Sequence, residues 1–314
     1  MFKRIAKFDE LTPSTLPFVE GRLEGHKERK NYSIVGPGVA EDSSQSVKIS
    51  KPHGYNLGAV SANPKNGSGL HSHTTAEVFL IYSGKWRFYW GPDGKNEIIL
   101  GKGDIISMPT NMFRGFENAG DKEGLIFVVL GNDDPGIITW VPKVLINAKE
   151  TGLALLNDNS LIDLTNSEVP ADKKLLEPIS NDQLKKFNNY NLDQIEKFIC
   201  RYDNQSNYEI DLKSGIKLIQ IIGNNFCDQN YKPLIDQDTG FNLSILKAKI
   251  GKIENLIFKK PTILFSQKGS WKINIKNEEL AINAKDTFSV PINTEFNINI
   301  ESAEYCYLNC VSKI

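Results

Sequence analysis

The sequence HSHTTAE, at residues 71–77, brings two histidines and a glutamate close together. If these residues form one strand that runs on to Ser83, then His71, His73 and Glu77 project to the same face, because side chains of a strand alternate with a period of two. Two imidazoles and one carboxylate are the ligand set of mononuclear Fe(II) sites that keep coordination positions open. The stretch therefore predicts a site for one divalent transition metal. Fe(II) is the favoured ion, and Mn, Ni and Zn are the alternatives.

A second motif follows downstream, at residues 103–115, with the sequence GDIISMPTNMFRG. It contains a glycine, five residues and a proline, and Arg114 stands near its end. The first motif also has a glycine, Gly84, which is separated from Glu77 by six residues and supplies a turn before the next strand. The two motifs together resemble those of the cupin superfamily.

The chain departs from the cupin pattern at three positions. Lys65 and Asn111 stand where the family usually has glycine, and Arg114 stands where it usually has a histidine as the fourth metal ligand. Asparagine tolerates the left-handed turn conformation, so the change at Asn111 is mild. A guanidinium stays protonated and has no lone pair for a metal, so the change at Arg114 reduces the ligand set to three.

The second half of the chain repeats the first. Residues 240–243 echo 54–57, residues 268–272 echo 83–87, and residues 286–293 echo 104–111. The chain therefore resembles a bicupin. In this register the second copy has apolar or neutral residues opposite the motif residues: Leu256 and Phe258 opposite His71 and His73, Thr262 opposite Glu77, and Phe296 opposite Arg114. Residues 201–314 contain no histidine, so the second copy is predicted to keep the fold without the ligands. It would shield one side of the first copy or pair chains in a homodimer.

The resemblance implies an all-β fold of two cupin (jelly-roll, double-stranded β-helix) barrels in one chain, with a few short helices. Between Tyr55 and Val129, strands and turns alternate at the spacing typical of such folds. We expect an N-terminal arm over the first barrel at residues 1–50 and a metal-type barrel at 51–150. A linker with short helices follows at 151–200, and a degenerate barrel without metal ligands occupies 201–314.

Local signals add detail to this architecture. A helix is predicted with Pro142 in its first turn, and a later helix is predicted to begin at Asn191 with Gln194 completing a capping box. Three aromatic side chains on one strand are expected to fill the core: Trp86, Phe88 and Trp90.

Two histidines stand outside the motif. His26 lies in a charged run at residues 24–30 and is interpreted as a solvated side chain. His53 precedes Gly54 in a predicted turn just before a strand. A structural role is the preferred interpretation of His53, and contact with metal or substrate at the barrel mouth is the alternative.

Composition argues against several classes of partner. The 37 basic and 38 acidic residues nearly cancel, which gives no support to nucleic acid or an anionic membrane as partner. No apolar run reaches the length of a membrane span, and the N-terminal residues lack the apolar core of a signal peptide. The four cysteines lack a zinc-type spacing, so we expect free thiols and a cytoplasmic location.

Arg114 has three alternative roles. It anchors an anionic substrate beside the metal, or it supports Glu77 and leaves a three-ligand site, or it pairs with Glu77 so well that no metal binds. Glu77 and Arg114 are therefore the predicted catalytic residues. The predicted substrate-binding residues are those expected to face the barrel lumen: Arg114, Phe79, Ile81, Phe116 and Asn118.

Three functions remain open, because cupins support many reactions on one fold. The first is a mononuclear, dioxygenase-type oxidoreductase similar to quercetinase, acting on a small anionic organic molecule. The second is a non-redox lyase or isomerase in which the metal acts as Lewis acid and Glu77 or Tyr82 moves protons. The third is a regulatory or small-molecule-binding bicupin without turnover, similar to pirin-type proteins.

Overall fold

A computed structural model describes residues 4–42, 44–212, 214–224 and 232–314. The strands up to residue 140 are β1 Ile5–Ala6, β2 Arg29–Val35, β3 Val47–Ile49, β4 Tyr55–Ala62, β5 Gly67–Ser72, β6 Glu77–Ser83, β7 Trp86–Trp90, β8 Asn96–Leu100, β9 Ile105–Met108, β10 Arg114–Asn118, β11 Gly124–Gly131 and β12 Thr139–Trp140. The later strands are β13 Leu153–Leu155, β14 Leu161–Asp163, β15 Ile199–Cys200, β16 Ile210–Asp211, β17 Lys217–Ile222, β18 Phe241–Leu256, β19 Thr262–Lys268, β20 Trp271–Ile275, β21 Glu278–Ile282, β22 Thr287–Val290 and β23 Phe296–Lys313.

The helices are short and lie mostly between the two groups of strands. The α-helices are α1 Pro142–Glu150, α2 Asn181–Leu184, α3 Leu192–Glu196 and α4 Tyr202–Gln205, and 3₁₀ turns occupy Phe8–Glu10, Val19–Arg22 and Ser206–Tyr208. The helix predicted from Pro142 is α1. The predicted capping box is confirmed at α3, where Asn191 accepts from the Gln194 backbone and the Gln194 side chain accepts from the Asn191 backbone.

The first barrel consists of two sheets. One has the strand order β12-β5-β10-β7-β8, and the other has the order β15-β9-β6-β11-β4-β2-β3. Strand β7 shows why the sheets pack: its burial alternates, and its inward side chains Trp86, Phe88 and Trp90 are fully buried. Phe88 and Phe79 pack with ring centroids 5.1 Å apart. The predicted core role of the three aromatic residues is confirmed.

The second barrel is one nine-stranded sheet made of β1 and β16–β23. Strands β18 and β23 pair along most of their length, with breaks in register between Ala248 and Ile250 and between Ile253 and Leu256. The interior of this barrel is apolar and includes Trp271, Phe288 and Phe296. The predicted all-β fold of two jelly-roll barrels with a few short helices is therefore confirmed.

The two barrels share an apolar cluster. Phe127 of the first barrel and Phe265 of the second have ring centroids 5.2 Å apart. Tyr55 of β4 is 1% exposed and donates its hydroxyl proton to the Val311 carbonyl, at 2.7 Å. The second barrel therefore covers one face of the first.

The N-terminal residues do not form an arm over the first barrel alone. Strand β1 pairs with β22 of the second barrel, where Ile5 faces Phe288, whereas β2 pairs with β4 of the first. The Asp286 carboxylate accepts a hydrogen bond from the Phe8 backbone N–H at 3.1 Å, which holds the N-terminal segment against the second barrel. This correction has a simple reason: β22 has an open edge, and an extended segment completes its backbone hydrogen bonds.

Both histidines outside the motif have structural contacts. His26 is only partly exposed, and its Nδ1 lies 3.0 Å from the Gly67 carbonyl, so its interpretation as a solvated side chain is wrong. His53 is buried at the junction of the barrels, with Nε2 2.8 Å from Ser289 Oγ and Nδ1 2.6 Å from the Lys51 carbonyl. Because both of its ring nitrogens are engaged there, His53 does not serve as a ligand at the barrel mouth.

Cys200, Cys306 and Cys310 are buried and form no disulfide with one another, and Cys227 lies outside the described residues. Within the described part of the chain, none of the helices has both the length and the apolar character that a bilayer crossing requires.

Candidate metal centre

The three predicted ligands meet at a corner between the two sheets of the first barrel. His71 lies near the end of β5, His73 lies in the turn that follows, and Glu77 begins β6. Strands β5 and β6 belong to different sheets, so the prediction of one continuous strand is wrong. The residues between the strands carry the chain from one sheet to the other. The side chains therefore converge because the chain turns a corner, and strand parity is not the reason.

The ligand atoms are close enough to share one ion. One nitrogen of each imidazole and one Glu77 oxygen all lie within 4.8 Å of one another, and all three residues are buried. The two imidazole rings stand nearly perpendicular, with centroids 4.9 Å apart. His73 Nε2 lies 3.6 Å from Glu77 Oε1. The cluster forms a compact set of two nitrogens and one oxygen.

The hydrogen bonds of the two imidazoles differ. His71 Nδ1 lies 2.8 Å from the Gly69 carbonyl, so Nδ1 carries the proton and Nε2 has a free lone pair. His73 is 1% exposed, and neither of its nitrogens has a hydrogen-bond partner among the described residues. An unpartnered buried imidazole is costly, and a metal ion would satisfy it. The residues present therefore fit a divalent transition metal.

Arg114 holds one side of the Glu77 carboxylate. It begins β10, where it pairs with His71 of β5, and it is fully buried. Its Nε donates to Glu77 Oε2 at 3.0 Å, and its Nη2 lies 2.9 Å from the same oxygen. Its Nη1 donates to the Met112 carbonyl at 3.2 Å. Oε1, the oxygen that faces His73, therefore stays available, so the pairing does not by itself block a metal.

Burial and neighbouring charges keep the ligands in the protonation states that a metal needs. Burial lowers the pKa of His71 to about 3, and the positive charges of His73 and Arg114 act in the same direction. Burial also lowers the pKa of His73. For Glu77, burial acts to raise the pKa, but Arg114 and the histidines outweigh it and the pKa falls below its usual range. Neutral imidazoles and an ionised carboxylate are the metal-binding forms.

A cavity of about 70 Å³ adjoins the cluster and is lined by His71, His73 and Glu77. At about 10–15 Å³ for each water-sized probe position, this volume suits a ligand of only a few non-hydrogen atoms. Phe79 and Phe116 also line the cavity, as expected of apolar walls. Loop residues 36–40 also line the cavity.

Three of the predicted substrate-binding residues are placed elsewhere. Ile81 is buried in the core of the first barrel and does not line the cavity. The Asn118 amide donates to the carbonyls of Ala62 and Lys122, both at 2.8 Å, so it closes a turn at the end of β10. Arg114 is outside the cavity wall, with its Nε donating to Glu77 and its Nη1 donating to the Met112 carbonyl. Shared strand parity was insufficient to identify cavity residues.

The sequence interpretation missed a second buried ion pair next to the cluster. Glu20 is fully buried, and its Oε1 accepts from Arg29 Nη1 at 2.8 Å and from Ser68 Oγ at 2.9 Å. Its Oε2 accepts from the Gly69 N–H at 2.8 Å. The burial and its neighbours together lower the pKa of Glu20, because Coulomb attraction from His26 and Arg29 outweighs desolvation. Burial along β2 does not alternate, so the sequence offered no periodic signal that Arg29 is buried.

Comparison with known proteins gives a domain and a fold. Residues 59–130 match the family model described as Cupin domain. The structure is similar to an oxalate decarboxylase of Lactobacillus farciminis in a formate complex, with 14% identity, a TM-score of 0.57, and coverage of 99% of this chain and 86% of that one. An oxalate decarboxylase of Bacillus subtilis shares 13% identity over 99% of this chain and 76% of that chain, with a TM-score of 0.56.

A protein with a different name also occurs among the similar structures. A 7S globulin of Momordica charantia shares 13% identity over 98% of this chain and 83% of that chain, with a TM-score of 0.56. No curated protein sequence matches the chain significantly. At these identities the similarity shows the fold, and the function has to be argued from the site.

Proposed function

We propose that the chain, which contains a cupin domain at residues 59–130, is a mononuclear metal-dependent enzyme acting on a small anionic organic molecule. His71, His73 and Glu77 would hold the ion, through Nε2 of His71, Nε2 of His73 and Oε1 of Glu77. The observation that carries the proposal is the buried His73 imidazole, which has no hydrogen-bond partner among the described residues and faces the Glu77 carboxylate beside a cavity.

A divalent transition ion bound there would supply open coordination positions, Lewis acidity and, for Fe or Mn, one-electron chemistry. The protein residues around it have separate tasks. Gly69 sets the tautomer of His71 through its carbonyl. Arg114 fixes the orientation of Glu77 and keeps it ionised. Phe79 and Phe116 form apolar walls of the cavity.

We place the reaction first in the dioxygenase-type oxidoreductase class, because a three-ligand site of this kind leaves positions for substrate and dioxygen. The cavity of about 70 Å³ limits the substrate to a small acid. It does not accommodate a flavonol of the size that quercetinase-like enzymes accept unless the surrounding loop moves.

A non-oxidative lyase reaction is the second candidate, and the same small cavity favours it. The similar structures include oxalate decarboxylases, whose substrate has only a few non-hydrogen atoms. In such a reaction Glu77 is held ionised by Arg114. Tyr82 does not line the cavity, because it packs against Phe127 in the cluster between the barrels. Proton transfer would therefore fall to solvent that enters the cavity.

Metal content tests the core of the proposal. Protein purified without chelator and loaded with Fe(II), Mn(II), Ni(II) or Zn(II) should retain about one ion per chain, and His71→Ala should lose it. His53→Gln is the matched control, because His53 is buried but its nitrogens face Lys51 and Ser289. A wild-type chain that retains none of the four ions would refute the metal assignment.

Reaction class is tested on the loaded protein with a panel of small carboxylic acids. Stoichiometric oxygen consumption during turnover identifies the oxidoreductase. Carbon dioxide release without net oxygen consumption identifies the lyase. Binding of the acids without turnover of any of them would leave a small-molecule-binding protein and end the enzyme proposal.

A further inference from the structure

We infer that Arg29, supplied by the N-terminal segment, forms a carboxylate-binding subsite in the cavity beside the metal centre. Arg29 is the first residue of β2 and is only 2% exposed. It lines the same cavity as His71, His73 and Glu77. The inference extends the proposed function, because it names the group of the substrate that the protein itself recognises.

The guanidinium has one engaged edge and one free edge. Its Nη1 donates to Glu20 Oε1 and to the Gly67 carbonyl, both at 2.8 Å. Its Nε and Nη2 are buried and have no hydrogen-bond partner in the part of the chain that the structure describes. Nε–H and Nη2–H form the side edge of a guanidinium, which matches the two oxygens of a carboxylate in a bidentate contact. Two unsatisfied buried donors are costly, and a bound carboxylate would satisfy both.

The free edge is held in a fixed position. The guanidinium lies over the Phe18 ring, 4.9 Å from its centroid. Its partner Glu20 is fixed in turn by Ser68 Oγ and by the Gly69 N–H. Gly69 is required for this approach, because an added Cβ would lie 2.6 Å from Glu20 Oε2. The donors are therefore ordered before a ligand arrives, which reduces the entropy cost of binding.

The charge balance of the cavity also favours an anion. Glu77 is paired with Arg114, and Arg29 is paired with Glu20, so the two buried ion pairs are each neutral. Arg29 and Glu77 carry the full charges among the described residues that line the cavity. Burial raises the pKa of the nearby Glu41 carboxyl to about 8, so at neutral pH Glu41 is mostly protonated and does not balance the positive charge that a divalent ion would add. A small acid bound between the ion and Arg29 would supply that negative charge.

The subsite is tested by ligand binding with oxalate and with its neutral diamide, oxamide, as probes. Titrations are made on chelator-treated protein and on Mn(II)-loaded protein whose metal content is followed. In both forms Arg29→Gln should weaken oxalate binding by about tenfold or more, since it removes a charged, bidentate contact. Its effect on oxamide should be much smaller. Arg22→Gln is the matched control, because Arg22 lies on the same segment but pairs with Asp163 away from the cavity.

Arg29→Lys covers the case in which Arg29→Gln fails to fold, because lysine keeps a cation next to Glu20 but lacks the planar fork. It should also bind oxalate about tenfold more weakly than wild type. Unchanged oxalate affinity in the folded Arg29 variant, or equal losses for oxalate and oxamide, overturns the subsite. The wild-type chain could retain none of the four metal ions and still bind oxalate in a way that depends on Arg29. That result would refute the proposed function but would support the subsite.

Discussion

The two barrels have matching strand pairings, but the paired positions carry charged and metal-ligand side chains in the first barrel and neutral or apolar side chains in the second. In the first barrel Glu77 pairs with Met108 and Arg114 pairs with His71. In the second barrel Thr262 pairs with Val290 and Phe296 pairs with Leu256. These pairs agree with the register predicted from the repeated stretches. The position of Glu77 thus corresponds to Thr262, and the position of Arg114 corresponds to Phe296.

The comparison separates what the fold needs from what a site needs. In the second barrel Phe296 is 1% exposed and packs near Phe258, with ring centroids 5.8 Å apart. That barrel closes with an apolar interior at this point, so the fold does not depend on the ligands. In the first barrel the same positions bury an ion pair and two imidazoles, which stabilise a fold less well than apolar packing of similar volume. Buried charge at this position therefore indicates a functional constraint on the first barrel.

The largest effect is expected when the second barrel receives the carboxylate of the first. Thr262 is fully buried, and Thr262→Glu would bury a carboxylate with Phe296 in place of an arginine. We expect a loss of about 4–5 kcal/mol or more in the free energy of unfolding, measured by urea denaturation. The double variant Thr262→Glu/Phe296→Arg should recover part of that loss. No recovery would show that the two positions are not equivalent to Glu77 and Arg114.

Removing Arg114 should have the next largest effect. Arg114→Ala leaves the Glu77 carboxylate buried without its cation, which should cost the metal-free protein about 3–5 kcal/mol in the free energy of unfolding. Metal content should fall only modestly, because Oε1 of Glu77 and both imidazoles remain. Arg114→Lys should be a poor replacement, whereas Arg114→His offers a fourth ligand and should tighten metal binding.

One result for Arg114→Ala would reverse our interpretation. If wild-type protein binds no metal and Arg114→Ala binds a stoichiometric amount, then the ion pair blocks the site. The first barrel would then be as inert as the second.

Truncating the core of the second barrel should affect stability alone. Phe296→Ala removes a buried ring and should lower the free energy of unfolding by about 3 kcal/mol, at the lower end of the range for such changes. Metal content per folded chain should equal that of wild type, as measured by elemental analysis. Metal loss in a folded Phe296→Ala protein would mean that the active half had been misassigned.

Between pH 6.5 and 4.5, loss of stability in acid should be the smallest of these effects, and His71 of the first barrel should cause part of it. His71 has a pKa of about 3 in the folded chain against an ordinary 6.5, so the unfolded chain binds the extra proton between these values. The stability of metal-free protein should therefore be fully present above pH 6.5 and fall as the pH is lowered, by up to about 1.4 kcal/mol per pH unit from this group.

His71→Gln provides the control for this pH dependence. Urea denaturation of both proteins between pH 6.5 and 4.5 should give a smaller slope for the variant, because glutamine does not titrate. Equal slopes in the two proteins would exclude His71 as a source of the acid sensitivity.

Much of the architecture follows from local sequence pattern. The strand alternation around Trp86 and Phe88, the helix beginning at Pro142 and the capping box at Asn191 depend on neighbours within a few residues, and all are found in the structure. The repeated stretches also predicted the second barrel and its register. Arg114 was expected near Glu77 because the two cupin-like motifs that contain these residues form one site in the family. The structure places Arg114 and Glu77 in contact.

The sequence by itself determined the fold class, the two barrels and the cluster of His71, His73 and Glu77. Only the tertiary structure decided that this cluster forms at a corner between two sheets, that β1 crosses to the second barrel, and that Arg29 lines the cavity. The physical reason is that these features depend on contacts between distant residues, such as Glu20 with Ser68. Periodicity reports which face of a strand is buried, but it does not identify the segment that covers that face.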